Sequence, residues 1–88
     1  GAVTLGSNTT IDTNSTTTNR ADITIAAVTG GNNTLTLSTA NVSNADITAS
    51  GAISGVTTLE LSDVGGTATL SGDVDVTTFD TNTINNLL

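Results

Sequence analysis

Aliphatic residues alternate with Thr, Ser or Asp in short stretches all along this chain. The alternation is clear in Ala2-Val3-Thr4-Leu5, Ala21-Asp22-Ile23-Thr24-Ile25 and Thr34-Leu35-Thr36-Leu37-Ser38. It returns in Ala45-Asp46-Ile47-Thr48-Ala49, Thr58-Leu59-Glu60-Leu61-Ser62, Ala68-Thr69-Leu70 and Asp73-Val74-Asp75-Val76. A period of two places the aliphatic set on one face of an extended strand and the polar set on the other, which marks a half-buried β-strand. The pattern predicts that Ile23, Ile25, Leu35, Leu37, Ile47, Leu59, Leu61, Leu70, Val74 and Val76 point inward. Asp22, Thr24, Thr36, Asp46, Glu60, Asp73 and Asp75 are predicted to point out. Turn residues stand between the stretches, at Gly6-Ser7-Asn8, Gly30-Gly31-Asn32-Asn33, Ser50-Gly51, Gly65-Gly66 and Ser71-Gly72. No stretch has helical periodicity with caps, and the absence of Pro leaves every strand able to pair on both sides.

The strands repeat. Ala-Asp-Ile-Thr stands at 21–24 and again at 45–48, and Ser50-Gly51 with Ile53 is matched by Ser71-Gly72 with Val74. Thr57-Thr58-Leu59 is matched by Thr77-Thr78-Phe79, and Gly1-Ala2-Val3-Thr4-Leu5 opens a further unit of the same character. Spacings of 20–24 residues, each holding two or three short strands, predict a parallel β-solenoid of about four imperfect coils. At about 4.8 Å per coil the block is roughly 19 Å tall. The alternative is a small antiparallel β-sandwich.

Composition favours the solenoid. Trp, Tyr, Met and Cys are absent, and Phe79 is the only aromatic residue. Val, Leu, Ile and Ala fill a thin core between short coils, whereas sandwiches anchor a wider core on larger side chains. Outward Thr suits a pleated surface and can hydrogen-bond along a stack. The 88 residues therefore read as one solenoid segment, 1–88, belonging to a longer chain or a polymer.

The run from Ile53 to Leu61, with 67–72 and 76–81 after it, resembles the repeats of large bacterial surface proteins. It is similar to β-solenoid regions of proteobacterial surface-layer proteins secreted by the type I route. Residues 1–38 resemble haemagglutinin-like adhesin repeats. The resemblance implies a structural extracellular protein, a building block of a prokaryotic surface layer, adhesin stalk or matrix filament at the cell surface. The calcium-binding nonapeptide G-G-x-G-x-D of many type I secreted proteins is missing, since Gly65-Gly66-Thr67 and Gly30-Gly31-Asn32 lack its later Gly and Asp.

Charge narrows the partners. Seven Asp and one Glu against a single Arg, Arg20, leave a net charge of −7. That argues against a basic nucleic-acid footprint and a polybasic membrane patch, and no apolar run approaches a membrane span of about 20 residues. Without His, Cys, Lys or Tyr the common general bases and nucleophile activators are missing, so the chain is expected not to be an enzyme. Asp73 and Asp75 share an outward face, but sugar-cleaving carboxylate pairs also need aromatic platforms and polar partners.

Calcium is the better chemical candidate. If the two Ala-Asp-Ile-Thr copies are in register on adjacent coils, Asp22 sits directly beneath Asp46. Their carboxylates would then be about 5 Å apart, a repulsion that a hard cation with oxygen ligands would relieve. The other cofactor expectation is none. Thr34-x-Thr36, Thr67-x-Thr69 and Thr81-x-Thr83 suggest a second function, a binding module for ice or surface glycan on a Thr-rich face. The Asn8, Asn14, Asn32 and Asn41 triplets match the N-glycosylation pattern. The first residues enter strand register without a polar cap, and the last, Leu87-Leu88, are apolar. Self-association, head to tail or in a lattice, or continuation into a larger surface protein is the expected partnership.

Overall fold

The computed structural model describes residues 1–13, 22–39, 45–62, 64–81 and 84–87. Arg20, the Ala21 start of the first repeat copy, the Asn14 and Asn41 triplets, Thr83 and Leu88 lie outside them. The described residues are all β. The strands are β1 (Val3–Thr4), β2 (Thr9–Asp12), β3 (Ile23–Ile25), β4 (Val28–Ser38), β5 (Ile47–Ala49), β6 (Ile53–Ser62), β7 (Val64–Leu70), β8 (Val74–Thr81) and β9 (Ile84–Leu87). One sheet has the order β1-β4-β6-β8 with β2 also pairing β4, and the other has the order β3-β5-β7-β9. All seven described pairings are parallel.

The chain therefore visits the first sheet, then the second, and returns one strand further along. The two copies of Ala-Asp-Ile-Thr meet in this way, with Ile23 opposite Ile47 and Thr24 opposite Thr48. Ile53 lies opposite Val74, Thr58 opposite Thr78 and Leu59 opposite Phe79, as the second repeat predicts. Equivalent residues consequently form columns, such as Val3-Val28-Ile53-Val74 and Ile11-Leu37-Leu61-Thr81.

Aliphatic residues of both sheets close one core. Ile23, Ile25, Leu35, Leu37, Ile47, Leu59 and Leu61 are buried as the alternation predicts, and Leu5, Val28, Ile53, Val56, Val64, Ala49 and Ala68 join them. Leu70 and Val76 are only partly buried. Val74 departs from expectation, at 38% exposed, and Phe79 is 39% exposed. β8 ends the described order of its sheet, and no described strand pairs with it beyond β6. Outside the core, Asp22, Thr24, Asp73 and Asp75 are exposed as expected, while Thr36, Asp46 and Glu60 are half-buried.

Two predicted turns are not turns. Gly30-Gly31-Asn32-Asn33 lies inside β4 and Gly65-Gly66 inside β7. The first is a bulge. Between the Thr29–Ser54 and Thr34–Thr58 pairs, residues 30–33 of β4 face residues 55–57 of β6, which in turn face residues 76–77 of β8. Gly31 and Asn32 take left-handed φ values of 58° and 63°, the conformations for which Gly and Asn are the fitting residues. The Asn33 side chain fills the irregularity, its Nδ2 donating to the Gly30 carbonyl at 3.0 Å and to the Leu5 and Gly31 carbonyls at 3.3 Å. Repeat length drifts here, losing a residue at each step up the sheet. The connection between sheets shortens as well, since Ser38 precedes Ile47 by nine residues and its partner Ser62 precedes Ala68 by six.

Candidate functional site

The repeated Asp is the acidic position that the register multiplies on the second sheet. Asp22 and Asp46 immediately precede the paired strands β3 and β5, and Thr67 holds the same place before Ala68 in β7. Stacking thus occurs, as the spacing of 24 predicts. What spacing alone does not show is the partner of each carboxylate. Asp22 Oδ1 accepts from the Asp46 backbone N–H at 2.8 Å. Asp46 Oδ1 accepts from the Thr67 backbone N–H, also at 2.8 Å. Each carboxylate therefore holds the amide one strand above it, at a point where the chain enters the second sheet. Such charge-assisted bonds to a backbone donor fix the height at which the incoming strand starts. Ile23 N–H donates to the Asp46 carbonyl at 2.9 Å and continues the same ladder in the backbone.

Gly66 completes this arrangement. Its N–H donates to the Ala45 carbonyl at 3.0 Å. A Cβ at that position would fall on the Asp46 carboxylate oxygen and 2.7 Å from the Ala45 carbonyl oxygen. Only glycine leaves room for Asp46 to reach Thr67. Behind it, the fully buried Thr39 hydroxyl accepts from Gly65 N–H at 3.3 Å and lies 3.5 Å from the Ala45 carbonyl, to which it donates.

Calcium at Asp22 and Asp46 was expected from their stacking. A calcium shell takes about six to eight oxygen ligands. Among the described residues no three Asp, Glu, His or Cys side chains converge. An oxygen of each stacked carboxylate is directed at a backbone N–H, so the donor set fits strand alignment better than a cation shell.

The outer faces carry columns rather than flat arrays. On the second sheet Thr24, Thr48 and Thr69 stack in register, but beside them stand Asp22, Asp46 and Thr67. On the first sheet Thr34, Thr58 and Thr78 stack, and the neighbouring column runs Thr10, Thr36, Glu60 and Asp80. The Thr36 hydroxyl lies 3.5 Å from Glu60 Oε1 and donates to it. Each Thr column is thus flanked by carboxylates, and the Thr-x-Thr motif is not sustained along either described face. Asp73 and Asp75 are exposed at β8, at the end of the first sheet. Of the glycosylation triplets, Asn8 Oδ1 is held by the Thr34 N–H at 2.9 Å, and Asn32 lies in the exposed bulge.

The carboxylate-to-backbone ladder was the feature that sequence reasoning missed. The signal for it was the spacing of 21 from Asp46 to Thr67, which continues the Asp column with a residue that has no carboxylate. Comparison with protein-family models, curated proteins and solved structures found no match to this chain.

Proposed function

We propose that the chain is a section of a parallel β-solenoid with a structural role, and that it serves in a prokaryotic surface layer, adhesin stalk or matrix filament outside the cell. The observation that carries this reading is the all-parallel register, which places equivalent residues of successive passages in columns. Polar side chains with resolved partners support it too. Asp22, Asp46, Asn33, Asn8 and Thr39 all hold backbone groups in place, so their chemistry is given to alignment. An acidic, lysine-free exterior suits a protein that must stay dispersed until it meets its own kind or the rest of a larger surface protein. Immunogold labelling of intact producing cells with an antibody against the chain tests the reading. Label on the outer surface is expected, and label confined to the interior would overturn it.

A second reading, a binding face for ice or surface glycan, draws on the Thr24-Thr48-Thr69 column. The flanking Asp22 and Asp46 weigh against it, because a charged neighbour breaks a regular hydroxyl array. An ice-recrystallisation assay with the folded chain is expected to show no inhibition.

A further inference from the structure

The Asn32-Asn33-Thr34 triplet falls on the bulge of β4. The ladder on either side is regular, with Thr29 opposite Ser54 and Thr34 opposite Thr58, and within the bulge Asn33 is opposite Val56. Pairing with the other neighbours stops at Thr29 in β1 register and resumes at Leu35 in β2 register. Gly30, Gly31 and Asn32 therefore have no register partner on either side, and of these three Asn32 alone carries a side chain. A bulge leaves its extra residue unpaired in this way. We propose that Asn32 is a glycan attachment site, modified on its side-chain amide by a transferase that reads Asn-x-Thr and draws on a sugar diphosphate. The proposal rests on the extracellular reading, because the Asn-x-Ser/Thr pattern marks acceptors on exported proteins.

Four observations single out Asn32. The first is access. Asn32 is exposed, and no end of the sheet is responsible, because β4 has β1 and β2 on one side and β6 on the other. The second is its amide. Asn33 Nδ2 donates to the Leu5, Gly30 and Gly31 carbonyls, and Asn8 Oδ1 is tied to the Thr34 N–H. The Asn32 amide makes no hydrogen bond to a described residue. The third is room. In the regular ladder an outward residue has neighbours about 4.8 Å above and below it, as Thr29 has Thr4 and Ser54. A sugar on such a residue would crowd both neighbours, whereas Asn32 can carry bulk and leave the columns undisturbed. The fourth is charge. Residues 4–10, 29–34 and 54–58 include no Asp or Glu, in a chain with a net charge of −7. A donor carrying two phosphates meets less repulsion here than over the acidic columns.

Backbone conformation alone does not account for the residue. The φ of 63° at Asn32 suits glycine at least as well, and glycine stands at the neighbouring 58° position, Gly31. What Asn adds is a primary amide two residues before a hydroxyl. Transfer breaks the bond between the anomeric carbon of the sugar and the donor phosphate, and forms a bond from that carbon to Asn32 Nδ2. The diphosphate leaves with the bonding electron pair, and the amide gives up one proton to the transferase. The product keeps the amide oxygen and one N–H.

Chain purified from the cells that produce it supplies the test. Cleavage before aspartate releases peptide 22–45, which holds Asn32 and Asn41. Tandem mass spectrometry with electron-transfer fragmentation is expected to place sugar on Asn32. Asn32→Gly accepts the left-handed φ, so it should lose that sugar with an unchanged β circular-dichroism spectrum. Thr34→Ala should abolish the modification with Asn32 intact, and Thr34→Ser should retain it. Unmodified Asn32 on chain recovered from the outer surface overturns the proposal and leaves the extracellular reading standing. Unmodified Asn32 on chain found only inside the cell overturns both. Sugar confined to Asn8, Asn14 or Asn41 overturns the choice of site, and sugar on Asn32 that survives Thr34→Ala overturns the recognition proposed for it.

Discussion

Strands β6 and β8 carry nearly the same pattern and have opposite fates. Ile53, Leu59 and Leu61 of β6 are buried, whereas their partners Val74, Phe79 and Thr81 in β8 are exposed. Among the described strands β6 lies between β4 and β8, and β8 has only β6 beside it. Alternation decides which way a side chain points. Burial depends on what covers the strand: β3 also ends the described order of its sheet, yet Ile23 and Ile25 are buried, whereas no described residue covers Val74 and Phe79 to that degree. Leu61→Asp should consequently cost several kcal/mol, comparable with the whole stability of a domain this small, because it buries an unpaired charge. No cooperative thermal transition is expected by circular dichroism. Phe79→Asp should cost less than about 1 kcal/mol. Equal losses would mean that β8 is as enclosed as β6.

The same contrast extends to glycine. Gly66 approaches Ala45 so closely that an added Cβ collides with backbone, whereas a Cβ at Gly6 meets nothing within 4 Å. Gly66→Ala is expected to lose about 1–3 kcal/mol, as overpacking in a closed interior does. Gly6→Ala should stay within about 0.5 kcal/mol of wild type. Urea midpoints at constant slope would measure both, and a neutral Gly66→Ala would show that β7 can move away from β5.

Much of the architecture was legible because its signals are local. The alternation of Ile23, Leu35, Leu37, Ile47, Leu59 and Leu61 assigned the core side, and the two Ala-Asp-Ile-Thr copies predicted which strands meet. Three features were not legible, each for a physical reason. The cluster Gly30-Gly31-Asn32-Asn33 supplies left-handed conformations, and these serve a bulge inside a strand as readily as a turn between strands. The exposure of Val74 depends on what lies beyond β8, about which its own sequence is silent. The carboxylates of Asp22 and Asp46 stack as foreseen, but their backbone partners depend on where the chain enters the second sheet, and spacing does not specify that entry.

The carboxylate ladder sits between the closed middle and the open end, half-buried at Asp46 and exposed at Asp22. Asp46→Ala removes the acceptor for Thr67 N–H and should cost about 1–2 kcal/mol, the range of a lost capping side chain. Asp46→Asn keeps an oxygen at the same place and should cost less than half as much. A shared calcium ion makes a different demand, because it requires charge as well as oxygen. Melting of the wild-type chain with and without a chelator separates the two accounts. The ladder predicts equal midpoints, and a chelator-sensitive midpoint abolished by Asp46→Asn would instead place a cation there.

The smallest effect is expected where the stack carries like charges on its outer face. Glu60 and Asp80 are opposite each other in the register of β6 and β8, and the side chains of such a pair are about 5 Å apart. Two unit charges at that distance repel by about 0.8 kcal/mol in water, less as salt screens them. Against this stands the Thr36 hydroxyl, which donates to Glu60. Glu60→Gln removes the repulsion and keeps an oxygen for Thr36, so it should stabilise the chain by a few tenths of a kcal/mol at low salt. That gain should vanish near 1 M salt, where the screening length is about 3 Å. Urea midpoints of the two proteins at low and high salt measure it. A loss on Glu60→Gln at low salt would mean that the Thr36 bond outweighs the repulsion, and that the outer columns, like the inner ones, are held by contacts along the stack.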